Sequence, residues 1–423
     1  MAIRLAGVPD LAGIVRAGDA IIWGQGCGEP TTLVEALVDQ RAALGGVSAF
    51  IGSSFSSTLA PEHADHIAFS SMGAIGTLAP LARAGVLGII PTHVGQVYRL
   101  IEQGLIGCDV AMVQVSPADA DGRHSYGLIN DYIQTVVARS RVVIAEVNDQ
   151  VPWTHGDATL EAARIDYLLE TSRPPIELRT GPTSVTDQEI ARHVSAFIED
   201  GCVLQMGIGA VPEAITRLLG DRRDLGVHSG MIGDGIAELM RRGVVTNARK
   251  TFDTGVTIAG ALIGSRSLYD FADRNPAIGM HNSAATHGEA ALSAIPGLVT
   301  INSAIEVDLT GQVNAEQTGS AYLGGTGGQV DYVRAGMRSS GGRSIIALPA
   351  TAKGGKLSRI VGALSGPVTT ARSEADIVVT EHGAAELRGQ TLAERARRMI
   401  AIAAPEFRAA LDRDAHDLLR RGY

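Results

Sequence analysis

Four places in the sequence combine residue types and spacings that could do chemistry. Gly207-Ile208-Gly209-Ala210-Val211-Pro212 follows an apolar run and opens a helix-like segment. Glycines let backbone N–H groups approach a ligand, and a helix start adds partial positive charge. The chemistry would be phosphate or pyrophosphate binding; the plainer alternative is an ordinary tight turn. Pro212 fits a first helical position, but it stands where a dinucleotide fingerprint needs its third glycine. Leu323 to Arg334 carries Gly324, Gly325, Gly327 and Gly328, which suits either backbone in close contact or a surface loop. Glu306 and Asp308 alternate on an expected strand, so both carboxylates share one face. They read as an acid–base pair or, more simply, as a solvated sheet face. Cys27 sits in a glycine-rich turn, as a thiol nucleophile or, more simply, a small buried residue. No Gly-x-Ser-x-Gly elbow occurs, and no His/Cys/Asp cluster has metal-ligand spacing, so no metal is expected.

The elements that must position these residues alternate along the chain. Strands are expected at 20–23, 47–52, 85–90, 109–115 and 141–147. They resume at 202–206, 226–228, 257–262, 298–302, 344–348 and 376–380. Many are continuously apolar, as strands covered on both faces should be. Helices are expected at 31–44, 187–199, 212–219 and 391–402. This is an α/β pattern with mostly parallel sheets. Ala17 to Pro30 also echoes Glu199 to Pro212: helix end, turn, buried strand, Gly-x-Gly, proline, helix. Two similar open α/β halves are therefore expected, residues 1–180 and 181–423, joined near Ser172–Ser184.

The 423 residues include 51 glycines without a three-residue period, 45% apolar and 19% charged residues, and a net charge of −9. Collagen-like and disordered chains are excluded, and an acidic chain is not expected to bind nucleic acid. With only three lysines, Lys250, Lys353 and Lys356, an anionic ligand would need local donors and backbone N–H groups. Cys27, Cys108 and Cys202 are too sparse for a disulfide framework. No signal peptide or membrane span is apparent, so a cytoplasmic protein is expected. A mean hydropathy of +0.14 with few charges suggests more burial than a monomer needs, hence a homodimer.

Taken together, several long segments resemble the acetyl-CoA hydrolase / 4-hydroxybutyrate CoA-transferase family, a branch of the class I CoA-transferases. They are Ala145 to Pro152, Gln205 to Pro212, Asn302 to Asn314, Gly327 to Asp331, Pro349 to Ser358 and Asp376 to Gly383. The resemblance covers nearly the whole chain and implies two α/β halves with an active site between them. It implies coenzyme A or acyl-CoA as substrate, with CoA contacts at Gly207, Ile208, Gly209, Ala210, Val211, Ile305 and Gly328. Lys353, Lys356 and Arg359 are further candidates for CoA phosphates.

The family's nucleophile is a glutamate in a segment of the form Gly-x-His-Ser-Glu-Met-x-x-Asp-Gly. It forms an acyl anhydride and then a CoA thioester. Here the segment reads Gly226-Val227-His228-Ser229-Gly230-Met231-Ile232-Gly233-Asp234-Gly235. Gly230 occupies the nucleophile's position and has no side chain to acylate. Three readings follow. The protein hydrolyses or otherwise cleaves acyl-CoA, with Glu306, Asp234, Glu238 or Glu316 as base. It remains a CoA-transferase, moving CoA to a small carboxylate through a substitute carboxylate. Or it binds acyl-CoA without turnover.

Overall fold

Residues 2–157, 159–319 and 321–420 are described in a computed structural model. Two parallel sheets dominate. The first has eight strands in the order Ile3–Leu5, Tyr167–Thr171, Val142–Asn148, Val110–Val115, Ala20–Trp23, Val47–Phe50, Ile67–Ser71 and Leu87–Ile89. Every pairing in it is parallel. Every residue of Val110–Val115 and Val142–Asn148 is buried, which explains why these strands read as continuous apolar runs. The second sheet orders Gly226–Val227, Val203–Met206, Leu298–Asn302, Arg343–Ala347, Ile377–Thr380 and Gly383–Glu386. Only its last pairing is antiparallel. The chain passes from the first sheet to the second between Thr171 and Val185. The expected α/β architecture with mostly parallel sheets is therefore present.

The expected run at 257–262 is a strand only over Thr257–Ala259, in a small sheet with Ile278–Met280 and His155–Gly156. Its continuation runs beside Ser229–Ile232 through Gly260 N to Gly230 O (3.1 Å) and Ile232 N to Ala261 O (3.0 Å). These bonds hold Gly230 in place.

Helix starts explain several shifted boundaries. Ser184 and Asp187 bond reciprocally to each other's backbone N–H, so that helix begins at Val185. The helix Thr31–Gln40 takes its cap from Glu146, whose carboxylate accepts from Thr32 N (3.0 Å) and Thr32 Oγ1 (2.8 Å). Glu146 thus fastens the helix start after the first Gly-x-Gly to the strand Val142–Asn148, two places along the sheet from Ala20–Trp23. Pro212 is not at a first helical position: the helix runs Ala210–Leu218, so the proline is its third residue. Its missing N–H is still one that the first turn leaves unpaired.

The strand Glu306–Asp308 overturns the simpler expectation of a solvated face, because all three residues are buried. Glu306 accepts from Asn314 Nδ2 (2.9 Å), Ser365 N and Ser365 Oγ (2.9 Å). Asp308 accepts from Thr310 and from Gln312 N and Nε2 (2.9 and 2.7 Å). Both carboxylates fold the following loop. Among the described residues no helix is long and apolar enough to cross a membrane.

Candidate functional site

Both Gly-x-Gly turns contribute residues to the lining of one cavity. After Val203–Met206 the chain bends through Gly207-Ile208-Gly209, with Gly209 at φ +121°, where only glycine is unstrained. A side chain at Gly207 or Gly209 would meet nothing, so this backbone faces open space. Gly207, Ile208 and Ile263 divide an outer cleft from an inner cavity of about 230 Å³. The outer cleft lies between the starts of the helices Ala210–Leu218 and Asp234–Arg241 and holds Glu213 and Asp234.

Both halves wall the inner cavity. The first half supplies Gln25, Ser53, Phe55, Ile129 and Asp131; the second supplies Gln205, Ser229, Gly230, His287, Asn302, Gly328, Gln329 and Tyr332. Gln25 lies in the first Gly-x-Gly turn, and Ser53 Oγ donates to its Oε1 (3.1 Å). Gln25 Nε2 donates to the Asp131 carboxylate, which also accepts from Ile133 N (3.3 Å). Burial pushes the Asp131 carboxyl up to about 6. It is the one carboxylate among the described cavity-lining residues.

Gly230 also lines the cavity, with its bare face against His287. A Cβ at Gly230 would come within 2.6 Å of His287 Cε1, 2.7 Å of Nε2 and 3.1 Å of Tyr332 Oη. A Cβ at Gly328 would strike the same ring, 2.6 Å from Nε2. The imidazole is thus held between two residues that must both lack side chains. Burial, with the nearby His228, lowers the His287 pKa to about 3, so the ring is neutral near pH 7.

The halves are stitched on both flanks of the cavity. On one flank Gly73 pairs with Gly325, Ala74 N donates to Gly324 O (2.7 Å) and Val94 N donates to Gly327 O (2.9 Å). A Cβ at Gly73 would strike Gly324 O, so this seam needs glycine. Asp331 reaches across to accept from Gly95 N (3.0 Å) at the start of the helix Val94–Glu102. On the other flank Ile129 pairs with Ala261, and Asn130 N donates to Gly260 O (2.8 Å).

The sequence-based candidates divide accordingly. Gly207, Ile208, Gly230, Gly327 and Gly328 line the cavity; Gly209 lines the outer cleft, and Ala210 and Val211 begin the adjoining helix. Ile305 is half-buried beside Glu306 and lines neither space. Lys353, at φ +50°, and Lys356 are exposed in the turn of the hairpin Thr351–Ala352/Leu357–Ser358. None of the four proposed carboxylate bases lines the cavity. Glu306 is engaged as described. Asp234 lies in the outer cleft, where it accepts from Ser265 N (3.0 Å) and Oγ (2.7 Å). Glu238 is exposed on its helix, and Glu316 accepts from Tyr322 Oη (2.6 Å) and Thr369 Oγ1 (2.8 Å). Cys27 is buried in the core, where burial pushes its thiol up to about 11, fitting the small buried residue rather than a nucleophile.

Sequence reasoning missed Gln25, Asp131 and His287. The echo between the two halves could have pointed to Gln25, which sits between Gly24 and Gly26. Nothing local marks Asp131 or His287.

Residues 3–178 match the Acetyl-CoA hydrolase/transferase N-terminal domain, and residues 264–415 match the C-terminal domain of that name. The chain is 36% identical to a 4-hydroxybutyrate coenzyme A transferase of Clostridium kluyveri, over 92% of each chain. It is 34% identical to a succinyl-CoA:cyclohexane-1-carboxylate CoA transferase of Geobacter metallireducens, over 97% of this chain and 94% of that one. The crystal structure of RipA from Yersinia pestis superposes with a TM-score of 0.92 at 33% identity, over 96% of each chain.

Proposed function

The chain belongs to the acetyl-CoA hydrolase/transferase family, and from that premise we propose that it hydrolyses an acyl-CoA by direct attack of water. No acyl group is then carried on a side-chain carboxylate at position 230. One observation supports this reading above the others: Gly230 has no side chain, and the space beside it is filled by His287. A carboxylate there would attack the thioester and afterwards hold the CoA. In this reading water takes its place as the attacking group. The CoA tail would pass over the Gly207–Val211 turn, where open glycine faces and a helix start suit an anionic ligand. The thioester would lie in the inner cavity near Gly230 and Gly328, with the acyl group among Phe55, Ile129 and Met231.

The test is CoA release from a panel of acyl-CoAs, with and without acetate or another carboxylate. Acceptor-independent release is expected. Formation of a new acyl-CoA, with a covalent enzyme trapped by borohydride, would overturn the reading in favour of transfer. Binding without turnover of any panel member would leave a CoA-binding protein.

Asp131 gives a second reading its footing. As the carboxylate in the cavity wall, it is the residue a transferase would have to use. Borohydride trapping followed by peptide mapping to Asp131 would establish that route.

A further inference from the structure

We propose that His287 is the base that activates the hydrolytic water, acting through Nε2, while the side-chain amide of Gln329 donates to the thioester oxygen. The proposal rests on the hydrolytic reading above.

The position of the ring is the first argument. Gly230 and Gly328 both lack the side chain that would strike His287, and the imidazole forms part of the cavity wall between them. A proton acceptor therefore stands beside the place where the thioester is expected. Its orientation is fixed from behind. Tyr332 packs against the ring at a centroid distance of 4.9 Å and donates through Oη to Thr286 O (2.7 Å).

The tautomer follows from counting protons. Thr286 has one hydroxyl proton and two neighbours, Asn282 O at 3.1 Å and His287 Nδ1 at 2.9 Å. If the hydroxyl donates to Asn282 O, its oxygen accepts from Nδ1–H and both protons are used. Nε2 then carries the lone pair. If the hydroxyl donates to Nδ1 instead, the ring proton sits on Nε2, which bonds to no protein group among the described residues. The first arrangement satisfies more groups.

The second, independent observation is Gln329. It is 7% exposed and lines the cavity, and its Nε2 is a buried donor without a partner. An unpaired buried amide costs about 1–3 kcal/mol unless something accepts from it. Gln329 opens the ten-residue helix Gln329–Arg338, so its amide and the helix start favour negative charge at the same end. Turning the amide over brings that donor to the cavity face, where a thioester oxygen that becomes an oxyanion would accept from it.

The step balances as follows. Water oxygen bonds to the thioester carbon while its proton passes to His287 Nε2, giving imidazolium and a tetrahedral oxyanion facing Gln329. The C–S bond then breaks, and the imidazolium returns the proton to the departing CoA sulfur. The products are the free acid and CoA, with the neutral ring restored. The neutral resting state keeps the lone pair available before water attacks. The oxyanion's negative charge stabilises the imidazolium during the step.

The experiment compares unsubstituted protein with His287→Gln and His287→Ala, using acyl-CoA without acceptor. General-base contributions are about 10²–10⁴-fold for a base matched to the working pH, and a ring lowered to about 3 belongs at the lower end of that range. Both variants should lose kcat on that scale while CoA affinity, measured by calorimetry, stays within about threefold. Added imidazole should raise the rate of His287→Ala in proportion to its concentration and leave His287→Gln unchanged. Unsubstituted protein should show a solvent deuterium isotope effect on kcat. Hydrolysis by His287→Gln at the unsubstituted rate would overturn the proposal and leave the hydrolytic reading standing. Strict dependence of CoA release on a carboxylate acceptor, or no turnover at all, would overturn both. Should His287→Ala fail to fold, His287→Gln decides alone.

Discussion

His287 stands where a side chain at Gly230 would begin, with Cε1 2.6 Å and Nε2 2.7 Å from an ideal Cβ. The ring is buried and bonded to Thr286, so it cannot swing aside freely. Gly230→Glu alone should therefore fail to create CoA transfer. It should also lower stability by about 1–3 kcal/mol, the usual cost of overpacking a core. Gly230→Glu combined with His287→Gly makes room for the carboxylate. Transfer between an acyl-CoA and acetate, with a trappable covalent enzyme, is expected only in the double variant. Transfer by the single variant at the same rate would show that the ring yields.

The pH–rate profile distinguishes the two candidate groups. A base at His287, lowered to about 3, is already deprotonated throughout the range from pH 5 to 8. A nucleophile at Asp131, raised to about 6, would be lost as pH falls through 6. We expect kcat/KM without acceptor to show no acid limb near pH 6. A limb there that disappears in Asp131→Asn would assign the chemistry to Asp131.

The same burial has a consequence for stability. His287 and His228 are lowered to about 3 and 4, from near 6.5 in the unfolded chain. Between those values the unfolded chain binds more protons, so stability falls as pH drops from 6.5 towards 4. Above pH 6.5 both groups are neutral in either state and contribute no slope. Asp131 and Asp331, raised to about 6, act in the opposite sense between pH 6 and 4, so the histidine contribution is read as a difference between denaturation midpoints: His287→Gln should lose less stability than unsubstituted protein over the same pH steps.

Gln329→Met keeps the bulk of the side chain and removes its donor. If the amide meets the developing oxyanion, kcat should fall by about 10²–10³-fold, with CoA affinity little changed. Folding should be unimpaired or improved, because the unpaired donor is gone. A stabilised variant with full activity would remove Gln329 from the chemistry.

Asp331 caps a helix of the other half through Gly95 N (3.0 Å). Asp331→Ala should cost about 0.5–2 kcal/mol, the range for losing a cap. Limited proteolysis should reveal looser packing between the halves before any change in secondary structure. An unchanged cleavage pattern and midpoint would count against this role.

The fold was legible where the signal is local. Val110–Val115 and Val142–Asn148 read as strands because they are covered on both faces and open on unbroken apolar runs, Val110–Val113 and Val142–Ala145. Tyr167–Thr171 was missed because its apolar run is only three residues long, with Tyr167 and Leu168 partly buried, and polar residues follow it. The carboxylates at Glu306 and Asp308 were placed on a strand correctly and given the wrong surroundings. Their partners Ser365, Asn314 and Gln312 come from loops whose path no periodicity reveals. Of the two readings of Gly324 and Gly325, close contact and surface loop, the first fits the structure. What they touch is Gly73 of the other half rather than a ligand. His287 was invisible for the same reason: its meaning comes from Gly230 and Gly328, far away in the chain.

The seam at Gly73 and Gly325 and the one at Ile129 and Ala261 also set an order of events. Backbone bonds close both flanks of the cavity, so parting the halves would break them together. The way in that spares them is end-on, past Gly207 and Ile208. A long thioester entering by that route leads with its acyl group and leaves its nucleotide end outside. If the thioester is hydrolysed as proposed, CoA fills the corridor behind the newly made acid. On that reading the carrier withdraws before the acid, so the two products would depart in a fixed sequence, last in and first out.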